Sequence, residues 1–329
     1  MRYTFASRMP TAVITGISGQ DGTYLAERLL GLGYTVIGTT HRRDAAGELD
    51  AGGVRVPLVA VDLGSAAALD DLLRAHQPDE LYNLAARASS AQLFDDPLAT
   101  ADINGVAVAR LLEAIRRHSP RTRFCQASSS EVFAGATTSP QDEHTPRAPL
   151  NAYGAAKAFA DHLVAAYRHG HGIFACSAIL YPHESPRRPP HFLVRKVAQA
   201  AARAAAGLPG KVALGDLAAV RDWGHAADTV EAMRRMLAAA VPRDYVIATG
   251  VPHTVGDVCT AAFAHVGLDW RDHVAVDEQL VRPAESVRRV GNPARAGAEL
   301  GWVPTLDFAQ LIGSLVDADR LLLSEGSPP

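Results

Sequence analysis

Through the first half of the chain, short apolar runs alternate with longer amphipathic stretches. Residues 11–15, 35–40, 58–61 (just after Pro57), 81–85, 123–127 and 173–180 are apolar and bounded by turn residues, so they read as strands. Between them, apolar residues recur at helical spacing over 20–32, 69–75, 101–117 and 153–169. Strand–helix alternation of this kind predicts an α/β fold with a parallel sheet covered on both faces. After Leu180 the pattern changes. Residues 181–190 are rich in Pro, Arg and His and read as an ordered loop. Residues 195–206 form an Ala-rich helical stretch, and further helices are expected at 226–239 and 255–266, with a return to the sheet near 244–248.

Composition adds limits. The 329 residues suffice for one large domain or two unequal lobes. Hydrophobic content of 48% and charged content of 20% are ordinary for a soluble globular protein, and a net charge of -3 gives no reason to expect nucleic acid or an anionic membrane as partner. No apolar run reaches about 18 residues, so no transmembrane helix is expected. The N-terminal residues lack the apolar core of a signal peptide. Cys125, Cys176 and Cys259 are far apart in apolar stretches and read as small buried hydrophobes in a reduced cytoplasm.

Chemistry is concentrated in two places. In N-A-Y-G-A-A-K, Tyr153 and Lys157 stand four residues apart on a helix and share a face. An ammonium beside a phenol favours the phenolate, which makes a base for a sugar hydroxyl proton near neutral pH. In T-G-I-S-G-Q-D-G, Gly16, Gly19 and Gly22 follow the first strand and open the first helix. Glycines there let the backbone turn sharply and approach a pyrophosphate seated on the helix N-terminus. The second strand ends in His41, Arg42, Arg43 and Asp44; arginine forks suit a 2′-phosphate and favour NADP, with NAD the alternative. Asp62, at the end of the next strand, suits an adenine amino group.

Long strings carry a resemblance to the extended short-chain dehydrogenase/reductase family, within it to the GDP-mannose 4,6-dehydratases. They include I-T-G-I-S-G-Q-D-G-T-Y-L-A-E, L-Y-N-L-A-A, T-A-D-I-N-G-V, Q-A-S-S-S-E-V-F, H-E-S-P-R-R, R-D-W-G-H-A-A-D, V-I-A-T-G-V, R-P-A-E and L-G-W-V-P. The resemblance implies a Rossmann-type doubly wound domain over residues 1–180, its sheet completed by about 222–250. A smaller, mostly C-terminal substrate-binding lobe is expected over 181–221 and 251–329. It implies bound NADP, a nucleotide-sugar substrate and no metal, although His183 adjoins Glu184.

The residues this implies for catalysis are Ser129, Glu131, Tyr153 and Lys157. Tyr153 takes the C4 hydroxyl proton during oxidation, Ser129 holds the C4 oxygen, Glu131 removes the acidified C5 proton as water leaves C6, and hydride returns to C6. Lys157 tunes Tyr153 and holds the cofactor ribose. The implied cofactor residues are Gly16, Ser18, Gly19, Gln20, Asp21, Gly22, Arg42, Arg43, Asp62, Leu63, Leu84, Ala85, Ala86, Tyr153, Lys157 and His183. For substrate they are Ser89, Glu184, Arg187, Arg188, Lys196, Arg221, Arg282 and Glu285, the arginines as a diphosphate clamp.

Departures fall on the substrate side. Pro182 stands where the family has a phosphate-contacting Asn, Ala88-Ser89 replace Ser-His, and Arg87 replaces Gln. The loop after Arg43 is shorter than the one that helps the family build tetramers, so a homodimer through residues 101–117 and 153–169 is expected. A related dehydratase, C4 epimerase or 4-keto reductase is the nearest enzymatic alternative, acting on another nucleotide sugar or on a nucleoside of antibiotic biosynthesis. A catalytically silent dinucleotide-binding scaffold is the alternative of another class; it predicts erosion of the Tyr–Lys–Glu set, which is intact here.

Overall fold

The computed structural model describes residues 8–42, 47–88, 96–281 and 288–325. By their internal contacts these form two compact units. The first comprises the described residues of Met1–Ser128, Asn151–Ala178 and Met233–Asp244, the second those of Ser129–Leu150, Ile179–Ala232 and Tyr245–Pro329.

In chain order the first elements are β1 (Thr11–Thr15), α1 (Gln20–Gly31), β2 (Thr35–Thr40), β3 (Gly47–Ala51), β4 (Val54–Ala60), α2 (Ala66–His76) and β5 (Glu80–Asn83). They are followed by α3 (Pro97–Ala101), α4 (Ala107–His118), β6 (Arg123–Ala127), α5 (Ala152–His171) and β7 (Ala175–Leu180). The sheet runs β7-β6-β5-β1-β2-β4-β3. Every neighbouring pair is parallel except β3 with β4. Read over the parallel strands this is the doubly wound order, with β1 and β5 on either side of the point where the order reverses. Ligands in such sheets bind outside the carboxyl ends of the strands at that point. Alternate residues of β1 point to opposite faces. Val13 joins a core with Leu69, Leu73, Leu111, Ile115 and Val164 of α2, α4 and α5. Ala12 and Ile14 are equally buried on the other face, and α1 buries Leu25, Ala26 and Leu29.

Two departures from the expected pattern have local causes. Strand β3 and the first half of β4 were absent from it. They form a hairpin at Gly52-Gly53, where φ values of 62° and 85° suit the two-residue turn that matches strand twist. The single helix expected over 101–117 is interrupted: a π-helical stretch, Asp102–Val106, separates α3 from α4. There a Cβ on Gly105 would lie 3.1 Å from Phe159 Cδ1 and 3.3 Å from the Ala156 carbonyl, so glycine permits the approach to α5.

After β7 come β8 (His183–Glu184), α6 (Leu193–Ala205), β9 (Val212–Leu214), β10 (Val220–Arg221), β11 (Gly224–His225), α7 (Ala226–Ala238) and β12 (Tyr245–Ile247). The last elements are β13 (His253–Thr254), α8 (Val255–His265), β14 (Val274–Val276), α9 (Ala294–Leu300) and α10 (Phe308–Ser324). This part carries the short pairs β8–β11, β9–β14 and β10–β13, and a core made by α6, α8 and α10 with Val212 and Leu214 of β9 and Val274 of β14. Ala198, Ala201 and Ala202 of α6 are small enough for α10 to approach with Ile312, Leu315 and Val316. Helix α10 also went unforeseen, though Asp307 and Gln310 close a reciprocal capping box at its start.

Candidate functional site

The first unit builds a cradle at the end of β1. Gly19 N–H donates to Gly16 O at 3.0 Å, closing a tight turn, and Gly16 has φ +69°. A Cβ on Gly16 would lie 2.9 Å from the backbone of Ala85; one on Gly22 would lie 2.5 Å from Gly16 O and from Ile17. Gly19 is the N-cap of α1 and supplies no side chain to the first-turn N–H groups. A helix start with its dipole, and a turn whose glycines lack Cβ atoms, suit a pyrophosphate, so the residues present fit a dinucleotide. Leu84 and Ala85 border the turn, Ser18 is exposed, and Gln20 Nε2 donates to Asp21 Oδ1 at 3.1 Å. Arg42 is exposed just beyond β2. Asp62 is exposed beside buried Leu63, and its Oδ1 accepts from Gly64 N–H at 2.8 Å. Ala86 is exposed after β5. Arg43 lies outside the described residues.

Beneath the cradle a polar chain crosses the sheet. Thr15 Oγ1 donates to Asn83 Oδ1 (2.6 Å), Asn83 Nδ2 to Gln126 Oε1 (2.7 Å) and Gln126 Nε2 to Ala127 O (2.8 Å). Thr15 Oγ1 also accepts from Ala85 N–H at 3.2 Å. The same Ala127 carbonyl accepts from Lys157 Nζ at 2.6 Å. One continuous set of hydrogen bonds therefore links Thr15, next to the Gly-rich turn, to the lysine of α5.

Asn151 caps α5 by accepting from Gly154 N–H at 2.8 Å, which sets Tyr153 in the first turn. Lys157 Nζ lies 5.7 Å from the Tyr153 ring centroid. Burial lowers the Lys157 pKa to about 8, against the opposing pull of Asp161. Asp161 accepts from Ser128 Oγ at 2.8 Å.

The second unit holds the other described site residues. Ser129 is the N-cap of a 3₁₀ turn, Ser130–Phe133, and its Oγ accepts from Glu131 N–H at 3.2 Å. That use leaves the hydroxyl proton free to donate. Glu131 forms an ion pair with Arg289, whose side chain is 9% exposed against 22% for Glu131. His183 Nδ1 lies 2.7 Å from Tyr181 O. Buried Glu184 lies 3.4 Å from Arg188 Nε, and the Arg188 guanidinium stacks 3.6 Å from the Phe192 ring centroid. Arg187 is exposed, Lys196 is half-buried on α6, and Arg221 Nη1 donates to Val220 O at 2.7 Å. Ser89, Arg282 and Glu285 lie outside the described residues.

The sequence pattern of the family described as GDP-mannose 4,6 dehydratase matches residues 13–315. The chain belongs to that family. A GDP-mannose 4,6 dehydratase of Arabidopsis thaliana is 43% identical over 94% of this chain and 86% of its own length. A GDP-mannose 4,6-dehydratase of Vibrio cholerae is 38% identical over 94% and 93%. Among solved structures, the UDP-glucose 4-epimerase of Thermus thermophilus in complex with NAD superposes with a TM-score of 0.79 at 28% identity, covering 94% of this chain and 99% of its own.

Within this dehydratase family member, three features of the site were not legible beforehand. Arg289 is 158 residues from Glu131, and nothing local marks it as a partner. Asp161 and Ser128 read as helix and strand-end polar residues. The Thr15–Asn83–Gln126 chain joins three strands, which only the sheet order brings side by side.

Proposed function

We propose that the protein is an NADP-dependent hydro-lyase that converts GDP-mannose to GDP-4-keto-6-deoxymannose, a step of deoxysugar biosynthesis. The observation that carries this reading is family membership over nearly the whole chain, with Glu131, Tyr153 and Lys157 all retained in the sequence. A bound nicotinamide dinucleotide would store the hydride taken from C4 until it is returned to C6. Arg42 favours NADP through its exposed guanidinium.

The chain's own residues handle protons. Tyr153 takes the C4 hydroxyl proton, and the Lys157 ammonium makes that phenol more acidic. Ser129 Oγ, already accepting from Glu131 N–H, keeps its proton to donate to the C4 oxygen. Glu131 takes the C5 proton, which the C4 ketone has acidified, and passes a proton to the departing C6 hydroxyl so that water leaves. C4 epimerisation and 4-keto reduction need no base at C5, so Glu131 favours elimination over both.

A second reading concerns the substrate. Pro182 offers no side-chain donor and no N–H; its carbonyl accepts from Gly224 N–H at 2.9 Å. Another nucleotide sugar, gripped differently at the diphosphate, fits this loss. Arg187, Arg188, Lys196 and Arg221 are the described basic residues of the second unit that this reading assigns to the diphosphate. Glu131→Gln tests the chemistry: it should bind NADP like the parent protein and form no dehydrated product. Undiminished dehydration in that variant would remove Glu131 from the role.

The proposal extends to a cytoplasmic homodimer. Leu98, Val106 and Phe159 are 82%, 40% and 46% exposed on and beside α3 and α5, an apolar surface that a second copy would cover. The three free cysteines are buried, as in a protein of a reducing compartment.

A further inference from the structure

Arg289 is the group in the second unit for which the residues assigned so far give no reason. Its guanidinium is almost fully buried, yet it pairs with the carboxylate that carries the proposed elimination. Burying a guanidinium is costly unless the structure holds it and its partner in place. Here the backbone on which it sits is pinned on both sides. Gln141 N–H donates to Val290 O at 2.8 Å, Gln141 Nε2 to Arg288 O at 3.1 Å, and Asn292 N–H to Gln141 O at 2.8 Å. Gly291 N–H donates to buried Asp222 at 3.2 Å, and Tyr181 Oη donates to Gln141 Oε1 at 2.7 Å. On the other side, the Ser129 cap fixes the turn bearing Glu131.

We propose that Arg289 is the positioning residue of Glu131: it holds the carboxylate ionised and aimed before reaction, and makes the protonated form a stronger acid toward the departing C6 hydroxyl. This rests on the dehydratase reading above. The physical reason is that a cation beside a carboxyl favours the charged form. Glu131 is then ready to accept at neutral pH. Once it has taken the C5 proton, the neutral carboxylic acid has lost its attraction to Arg289 and regains it by passing the proton to oxygen as the C6–O bond breaks. The pair therefore weakens the base and strengthens the acid, and the ketone's acidification of C5 offsets the first effect.

Other titratable groups of the second unit stand near the pair. Tyr181 is raised by burial and by Asp222, and lowered by Arg289. Asp222 is raised by burial, with Thr249, Gly250 and Gly291 donating to it. Arg147 stacks 5.2 Å from the ring centroid of Phe133, in the turn that bears Glu131, and Arg288 is exposed next to Arg289.

Carbon-13 NMR of the full chain labelled at glutamate Cδ tests this with NADP present. The Glu131 resonance is the one missing from Glu131→Gln. In the parent protein its midpoint should lie below the ordinary glutamate value of about 4.3. Arg289→Met should raise it by at least about one pH unit, and Arg289→Lys should restore most of the shift. The acid limb of the dehydration rate should move upward with it, which a merely structural arginine would not cause. An unshifted midpoint in Arg289→Met overturns the proposal. If that variant fails to fold, a parent midpoint at or above the ordinary value does so instead. The titration decides the pairing even if the parent protein dehydrates no sugar, an outcome that would count against the activity alone.

Discussion

At the scale of single residues, Lys157 joins function to a stability cost. Its ammonium is buried at 2% exposure, and its pKa falls from the usual 10.5 to about 8. The folded protein therefore binds this proton less tightly than the unfolded chain. The sign follows: the penalty is present in full below pH 8 and is relieved as pH rises from about 8 toward 10.5, where the unfolded chain still holds its proton. Lys157→Met should thus abolish turnover yet leave the cofactor-free protein as stable as the parent or more so, by up to about 3 kcal/mol in urea at pH 7. A large loss of stability at that pH would show that the Ala127 hydrogen bond outweighs desolvation. The cradle makes a sharper steric prediction. Gly22→Ala places a methyl 2.5 Å from backbone that cannot yield, so NADP affinity should fall at least about tenfold by calorimetry. Tyr153, Lys157 and the glycines were legible because each lies in a local motif. Arg289 was not, since its meaning depends on a contact made across 158 residues.

Among elements, α6 and α10 show how a helix pair in an Ala-rich core is held in register. Arg195 and Asp319 form a buried ion pair between them; burial pushes the Asp319 carboxyl up to about 6 while Arg195 pulls it down. A raised carboxyl pKa favours the folded state while protonated, so this contribution is present below about pH 4 and is lost as pH rises through about 6. Removing one partner leaves the other charge buried alone. Arg195→Met should cost about 3–5 kcal/mol in chemical unfolding, and adding Asp319→Leu should recover most of it. A double variant no better than the single one would contradict this account. Element legibility follows periodicity. The central strands are buried on both faces and stand out as apolar runs. Strand β3, G-E-L-D-A, is an exposed edge with little apolar character, and only Gly52-Gly53 signals its hairpin. The π-helical stretch at Asp102–Val106 preserves a helical apolar pattern and so leaves no trace in spacing.

At the scale of the whole molecule, the strand order, the Gly-rich turn after β1 and the family match describe one kind of protein, and each was implied by strings spread along the chain. Among the described residues no helix is long and apolar enough to cross a membrane. The proposed homodimer rests on exposed apolar surface: Phe159→Glu should convert a dimer to monomer in analytical ultracentrifugation, whereas a tetramer in the parent protein would refute the proposed assembly. Pro182 and Ala88 depart from the family's strings at positions that the proposed function assigns to the substrate side. The most direct measurement is incubation of the protein with GDP-mannose and NADP in deuterated water, followed by mass spectrometry and proton NMR of the sugar. The account predicts loss of one water, a 4-keto-6-deoxy product carrying solvent deuterium at C5, and no net change in the cofactor. A product of unchanged mass, or a dehydrated product without deuterium at C5, would contradict it.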